Sequence, residues 1–207
     1  MLKNALMANQ TTLSRRDRNL AEIRERATRV AERIVLEEGA DALSARGLAT
    51  ELKVSVGSLY NAFGDLNGVV QAVNAACAKR LSASLHAAIE NAAPDKRSRV
   101  VAIGEAYFDF AITEPRRWWM LFERNVDMQS DEKAQEIQEE LLQMLILAGE
   151  GDPESEQHRQ FFLLLWASVH GLVSLAVRPT IAAINPKVAR TYIGHLVDAG
   201  FRAFPLV

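Results

Sequence analysis

The apolar residues of this chain recur every three or four positions along most of its length, which is the period of an α-helix. The segment 19–38 shows the pattern clearly. Its apolar residues from Leu20 to Val35 form one stripe, and arginines and glutamates occupy the opposite face. No segment alternates apolar and polar residues over the length of a half-buried strand. The pattern therefore predicts an all-α protein.

Proline, glycine and serine mark the ends of the predicted helices. All six prolines lie at or beyond Pro94, and proline fits the first turn of a helix but breaks its interior. Gly39 has the place of a C-cap, and Ser44 has the place of an N-cap. Together these signals predict nine helices, over residues 19–38, 44–51, 55–62, 67–91, 96–113, 115–123, 131–148, 154–178 and 186–203.

Residues 44–63 have the pattern of a helix-turn-helix. Two short helical segments, 44–52 and 55–63, leave only Lys53 and Val54 between them. Such a short connection holds the second helix crosswise to the first, so that it can enter the major groove of DNA. Ala49 is small enough to let the two helices approach closely. The second helix is therefore the predicted recognition helix.

The predicted recognition helix has a mostly uncharged reading surface. Ser55 caps its N-terminus, which attracts a phosphate. Asn61 suits adenine and Val56 suits the thymine methyl group, while Gly57 lets the backbone come close. The predicted DNA-binding residues are Arg46, Lys53, Ser55, Val56, Gly57, Ser58, Tyr60 and Asn61.

At these residues the sequence resembles the TetR family of dimeric repressors. The resemblance covers about residues 19–75 and rests on Gly39, Leu48-Ala49, the turn Val54-Ser55 and the run 57–63. A weaker match, over 166–173, is similar to the Trp…His-Gly signature of one TetR C-terminal subgroup. The resemblance implies a nine-helix fold with a helix-turn-helix DNA-binding domain at 1–66 and an effector-binding and dimerisation domain at 67–207.

Three positions depart from the family pattern. Ala62 stands where histidine is usual, Lys53 stands where glycine is usual, and Leu66 stands where a lysine commonly donates to a phosphate. One phosphate contact fewer flattens the salt dependence of DNA binding by about one unit of slope. Lys53 or Arg46 could replace that contact.

Charge and cysteine content narrow the function classes. The net charge is -2, yet residues 1–36 hold eight basic side chains against four acidic ones. A basic end suits a protein that touches a polyanion at one pole, although a solvated charged helix gives the same count. The single cysteine, Cys77, excludes an intramolecular disulfide and indicates a reducing cytoplasm. The apolar run 161–177 falls short of a membrane span, so no membrane partner is predicted.

The C-terminal two-thirds concentrates large, soft side chains of the kind that line apolar ligand pockets. For any single one of them, ordinary core packing is the more common role. Trp118 and Trp119 point about 100° apart on a helix, so they cannot both face one interior point. His170 can be interpreted as an effector ligand, a pH sensor or a packed residue. The predicted effector-binding residues are Phe108, Trp118, Trp119, Phe122, Met144, Trp166 and His170.

The last two predicted helices are the predicted dimer interface. The helix 154–178 is apolar nearly all round between Phe161 and Trp166, so it must be covered on more than one side. The last helix adds a second apolar stripe, formed by Val188, Tyr192, Ile193, Leu196, Val197 and Gly200. A homodimer built on these helices would present two recognition helices to half-sites about 34–36 Å apart.

These observations favour a ligand-responsive transcriptional repressor that binds a palindromic double-stranded DNA operator as a dimer and is released by a small apolar effector. One alternative is a helical protein-interaction module whose helix-turn-helix has lost its affinity for DNA. Another is a helical enzyme, but no catalytic triad or phosphate loop appears in the sequence. The four histidines show no i, i+4 pairing. Neither a metal nor a cofactor is predicted.

Overall fold

A computed structural model describes residues 14–122, 132–178 and 184–204 of the chain. Over these residues it contains nine α-helices and no strand, which confirms the all-α prediction. A short 3-10 helix, Ala40–Ala42, follows the first of them. The α-helices are α1 Arg15–Glu38, α2 Ala45–Leu52, α3 Val56–Phe63, α4 Leu66–Asn91, α5 Lys96–Thr113, α6 Pro115–Phe122, α7 Glu132–Ala148, α8 Glu156–Val177 and α9 Pro186–Ala203.

The first helix begins four residues before its predicted start, because Ser14 and Asp17 form a capping box. The Ser14 hydroxyl accepts the Asp17 N–H at 3.1 Å, and the Asp17 carboxylate accepts the Ser14 N–H at 3.2 Å. Two otherwise unsatisfied donors of the first turn are paired in this way. The apolar stripe starts only at Leu20 and gives no sign of this polar first turn.

The predicted caps around the helix-turn-helix are confirmed. Gly39 has φ of 95° and closes α1 by donating its N–H to the Val35 carbonyl. The Ser44 hydroxyl accepts the Gly47 N–H and so begins α2. The Ser55 hydroxyl begins α3 by the same kind of bond. These caps fix where each helix of the motif starts and stops.

The chain divides into two compact units, residues 1–73 and 74–207, and α4 contributes to both. In the first unit, α1 packs against the 3-10 helix, α2 and α3, and α2 packs against α3. The buried side chains of this unit come largely from the stripe predicted on α1 and from the inner faces of α2 and α3. They include Ile23, Ala27, Ala31, Leu48, Leu52 and Leu59.

In the second unit, α5 lies at the centre and packs against α6, α7, α8 and α9. Its core contains aromatic and branched side chains from every helix of the unit, and Trp118 and Phe162 are completely buried. The stripe predicted on α9 for the dimer interface is split. Ile193 and Val197 belong to the core of the unit itself, because α9 packs on both α5 and α8, whereas Tyr192 is exposed.

Helix α8 combines a buried face with an exposed apolar face. By length and composition alone this helix of 22 residues could cross a membrane. The apolar run 161–177 within it is shorter than a membrane span. Phe161, Phe162 and Leu165 are buried in the unit, but Leu163 and Leu164 are 50% and 69% exposed. The helix is thus a core element with an uncovered side.

Candidate DNA-binding surface and effector cavity

The turn between α2 and α3 depends on a left-handed residue. Lys53 has φ of 56° and ψ of 43° and donates its N–H to the carbonyls of Ala49 and Thr50. Val54 then donates its N–H to the Ala49 carbonyl at 3.0 Å. A side chain in this conformation costs roughly 1–2 kcal/mol, which glycine would avoid. The chain therefore keeps a positive charge at the turn at the expense of local stability.

Three arginines of α1 hold the helix-turn-helix in place. Arg24 donates to the Ala62 carbonyl at 2.6 Å, and Arg26 donates to the Leu52 carbonyl at 3.2 Å. These carbonyls lie at the C-terminal ends of α3 and α2, where helical partners are lacking. Arg33 pairs with Glu51 of α2 at 2.7 Å.

The number of basic residues in α1 therefore overstates its free positive charge. The positive charge that remains exposed lies at the start of α1 and at the two ends of α2. Within the described residues, Arg15, Arg16 and Arg18 form no ion pair or side-chain hydrogen bond. Arg46 and Lys53 are also exposed.

Helix α3 presents one buried and one exposed face. Leu59 and Ala62 are buried, whereas Gly57, Tyr60 and Asn61 are exposed. Three of the residues predicted to contact DNA therefore lie on the exposed face. Ala62, which stands where the family pattern has histidine, belongs to the buried face and packs in the first unit.

Ser58 and Val56 are less accessible than their predicted reading role suggests. Ser58 is partly buried, and its hydroxyl lies 2.8 Å from the Ser55 hydroxyl, which itself accepts the Ser58 N–H at 3.0 Å. Ser58 therefore reinforces the cap of α3. Val56 is also partly buried. Of the residues of α3 predicted to contact DNA, Gly57, Tyr60 and Asn61 are the exposed ones.

Gly57 has room for a side chain. A Cβ atom built there would meet only the Ser55 hydroxyl oxygen, at 3.7 Å. Its backbone is helical, so no positive φ requires glycine. Packing within the protein therefore does not account for glycine at this position.

The second unit contains a partly open cavity of about 310 Å³. Most of its wall is apolar, and the polar side chains belong to Tyr107 on α5 and to the first half of α7. The lining residues are Leu81, Leu85, Val100, Ile103, Gly104, Tyr107, Phe122, Gln135, Gln138, Glu139, Leu141, Leu142, Leu145, Leu163, Leu165, Trp166, Val169 and Val197. Its size lies at the lower end of the range for small-molecule sites.

Two of the seven predicted effector residues, Phe122 and Trp166, line this cavity. Their ring centroids are 6.2 Å apart. Tyr107, which sequence reasoning missed, lines it beside them, with its ring 5.6 Å from that of Phe122 and edge-on to it. The helical pattern marks Tyr107 only as an inward-facing residue, so it does not separate lining from core.

Trp118 and His170 stand behind this wall. The Trp118 indole N–H donates to the Tyr107 hydroxyl at 2.8 Å, and that hydroxyl lies 2.7 Å from His170 Nδ1. The His170 ring stacks between Trp118, at 5.4 Å, and Trp166, at 4.9 Å. His170 is therefore a packed, hydrogen-bonded residue in contact with the lining. Phe108 is buried in the same core but does not line the cavity.

The remaining two predicted effector residues lie elsewhere. Trp119 is 38% exposed and carries the Arg178 guanidinium 4.5 Å above its ring. Its exposure, against the full burial of Trp118, agrees with the predicted 100° separation. Met144 lines a separate open groove with His86 and Leu147.

A carboxylate at the cavity wall is already paired. Glu139 accepts two hydrogen bonds from Arg159, both at 2.7 Å, and a third from Gln143 at 2.9 Å. These donors lower the pKa of the Glu139 carboxyl to about 2, so it stays ionised at neutral pH. No sequence signal pairs residues 139 and 159, because the contact joins two different helices.

Comparison with known proteins gives a family for one part of the chain. Residues 100–199 match the family of tetracyclin repressor-like C-terminal domains. No protein of curated function is significantly similar to the chain.

Solved structures share the fold. A protein of unknown function from Rhodococcus sp. RHA1 is 24% identical, with a TM-score of 0.69 over 88% of this chain and 95% of that one. A TetR-family transcriptional regulator from Streptomyces coelicolor is 19% identical, with a TM-score of 0.64 over 89% and 99% of the two chains. A TetR-like transcriptional regulator from Rhodococcus sp. RHA1 is 15% identical, with a TM-score of 0.63 over 93% and 100%.

Proposed function

We propose that this chain is a ligand-responsive transcriptional regulator of the TetR family. Residues 100–199 match the tetracyclin repressor-like C-terminal domains, and TetR-family regulators share its fold. It would act in the cytoplasm as a non-enzymatic homodimer that binds a palindromic DNA operator. A small apolar effector held in the cavity of the second unit would release it from DNA, and the protein would repress its target genes while it is bound there.

The outer face of α3 carries the proposal. Gly57, Tyr60 and Asn61 are exposed there, and the space beside Gly57 leaves glycine without a role in packing. A bare backbone next to an amide and a phenol suits close approach to a groove, where asparagine pairs with adenine and tyrosine reaches a phosphate. The capped N-terminus of the same helix adds a site for a phosphate.

The outer faces of α8 and α9 support the dimer. Leu164 and Gly171 lie on the exposed side of α8, and Val188 and Tyr192 lie on that of α9. A Cβ atom built at Gly171 would meet nothing within 4 Å. Small residues beside exposed leucine allow close contact with the same helices of a second copy, which is the geometry of an isologous interface.

The test is selection of bound DNA from a random pool by the purified full chain, followed by titration of the selected duplex. We expect a palindromic sequence whose affinity falls steeply with salt. Asn61→Ala should weaken binding at least tenfold, the loss expected for one bidentate base contact. The control is Asn91→Ala, an exposed asparagine of the second unit, which should bind like the wild type. Equal affinity for selected and random DNA would instead favour a protein-interaction module.

A further inference from the structure

The cavity of the second unit differs chemically between its two ends. Tyr107, Phe122 and Trp166 place three aromatic rings at one end. Val100 lies seven residues before Tyr107 on α5, or about 10 Å away at 1.5 Å per residue. Arg99 donates to the Ala148 carbonyl at 2.9 Å, so the start of α5 lies beside the end of α7. The lining residues at this far end, which include Val100 on α5 and Leu145 on α7, are aliphatic.

The aromatic end is also the mouth of the cavity. Its exposed lining residues are Trp166 and Leu163 on α8 and Gln135 and Gln138 on α7. The residues toward the far end, including Val100 and Leu145, are buried. A molecule that enters here would keep a polar group beside the glutamines and place an apolar group inside.

The aromatic end is held rigid from behind. The hydroxyl of Tyr107 accepts the Trp118 N–H and bonds to His170, and neither of these partners lines the cavity. Trp166 in turn stacks on His170. Rings fixed in this way lose little freedom when a ligand ring packs on them, which favours binding.

The described lining of the cavity provides no unbalanced charge for a ligand. Among the described lining residues, Glu139 is the one with a formal charge at neutral pH, and Arg159 already neutralises it through two hydrogen bonds. A charged group carried into the apolar interior would lose its water without gaining a partner.

We propose that this cavity selects an uncharged alkyl-substituted aromatic molecule, with its ring against Tyr107, Phe122 and Trp166 at the mouth and its alkyl tail toward Val100. This inference rests on the proposed function, because it names the effector class of the same site. The volume corresponds to about ten waters at ~30 Å³ each, and so to a ligand of about 10–15 non-hydrogen atoms.

The test uses four probes of similar size, titrated calorimetrically into the full chain without DNA: 4-butylphenol, 4-butylcyclohexanol, the anion 4-butylbenzoate and the cation 4-butylbenzylammonium. We expect 4-butylphenol to bind at least threefold more tightly than the cyclohexyl probe and at least tenfold more tightly than either ion. Equal affinity for the cyclohexyl probe, tight binding of an ion, or no saturable binding of 4-butylphenol would each overturn the proposal.

Two tryptophans of nearly equal exposure provide a matched pair of variants. Trp166 is 36% exposed and lines the cavity, whereas Trp119 is 38% exposed and does not. Trp166→Leu should weaken 4-butylphenol at least fivefold and reduce the preference for the aromatic ring, and Trp119→Leu should change its affinity less than twofold. Similar effects of the two variants would contradict a ring site at the mouth.

The orientation of the tail has its own test, which does not depend on Trp166. Val100→Phe should shorten the far end, so 4-butylphenol should lose at least fivefold in affinity while 4-ethylphenol binds as in the wild type. Equal losses for both phenols would refute the orientation.

Tyr107→Phe keeps the ring but removes its hydrogen bonds, and it should reduce the preference for 4-butylphenol over 4-butylcyclohexanol. If the ratio of the two affinities stays at its wild-type value, the hydrogen bonds of Tyr107 to Trp118 and His170 do not position the ring for binding.

Titration of the operator with 4-butylphenol separates this inference from the proposed function. Selective binding to the free chain with no change in DNA affinity would keep the ligand class and refute the ligand-responsive role. Release from DNA by an ion, with no selective binding of 4-butylphenol, would keep that role and overturn the ligand class.

Discussion

Gly57 is the residue at which folding and the proposed DNA binding have opposite requirements. Glycine inside a helix costs roughly 0.5–1 kcal/mol relative to alanine, and a methyl group would fit here. Gly57→Ala should therefore raise the free energy of unfolding by about that amount in urea denaturation, while it weakens operator binding by blocking close approach. Gly194→Ala, in a helix of the second unit with similar room, should leave DNA binding intact. A stabilised Gly57→Ala variant with unchanged DNA affinity would contradict the reading role of this face.

At Lys53 the situation is the reverse, because the chain has a charged residue at a left-handed position where glycine would make the folded protein more stable. Lys53→Gly relieves the left-handed backbone at φ of 56° and should stabilise the chain by about 0.5–1 kcal/mol. If Lys53 contacts a phosphate, the same change should reduce the salt slope of DNA binding by about one. Lys53→Gln separates the two effects, since it removes the charge and keeps the strain. A salt slope that is the same in all three proteins would exclude the phosphate contact.

At the scale of helices, periodicity and capping chemistry were sufficient to place every α-helix of the described chain, but not the 3-10 helix Ala40–Ala42. The predicted boundaries of α2 to α9 that lie within the described residues differ from the observed ones by at most two residues, since proline, glycine and serine act locally. The predicted end of α6 at 123 and the predicted start of α7 at 131 lie outside the described residues. The start of α1 was missed because its first turn is polar and gains its stability from a capping box rather than from burial.

The cavity could be predicted only in part. Aromatic size pointed to Phe122 and Trp166, but aliphatic residues that line a cavity have the same spacing as residues that fill a core. The network of Tyr107, Trp118 and His170 joins positions on three different helices, which are brought together only by tertiary packing. Sequence spacing carries no record of such contacts.

The stability that the Glu139–Arg159 pair contributes between α7 and α8 should depend on pH. Arg159 and Gln143 hold the pKa of the Glu139 carboxyl at about 2, below its ordinary value of 4.5. Because the folded value is the lower one, the stabilisation is present above about pH 4.5 and is lost as the pH falls toward 2. Thermal melts from pH 7 to 2.5 should show that the destabilisation caused by Arg159→Gln shrinks across this window. Arg116→Gln, at an exposed arginine of α6, should show no such trend. A constant Arg159→Gln deficit down to pH 2.5 would contradict the assignment.

At the scale of the whole molecule, charge and apolar surface are divided between the two units. Part of the basic excess of the first 36 residues is used internally, since Arg24, Arg26 and Arg33 brace the helix-turn-helix. Arg46 and Lys53 are the exposed cations of α2 and its turn, and the proposed reading surface of α3 is uncharged. Two such surfaces in one dimer would bind DNA much more tightly than one surface alone, provided that both can bind at the same time. DNA affinity should therefore depend strongly on the apolar faces of α8 and α9.

Leu164 and Leu147 test this dependence because both are exposed leucines of the second unit, 69% and 60% accessible, but only Leu164 lies on the α8–α9 face. Leu164→Glu would place two like charges at a two-fold interface, at a cost of several kcal/mol. Sedimentation should therefore show a monomer for Leu164→Glu and a dimer for Leu147→Glu. The monomer should bind a single half-site as the wild-type chain does. Its affinity for the full palindrome should fall at least a hundredfold, because bivalent binding typically raises affinity by about that factor or more. A dimeric Leu164→Glu chain would place the interface elsewhere, and a monomer with full affinity for the palindrome would show that one recognition helix is sufficient.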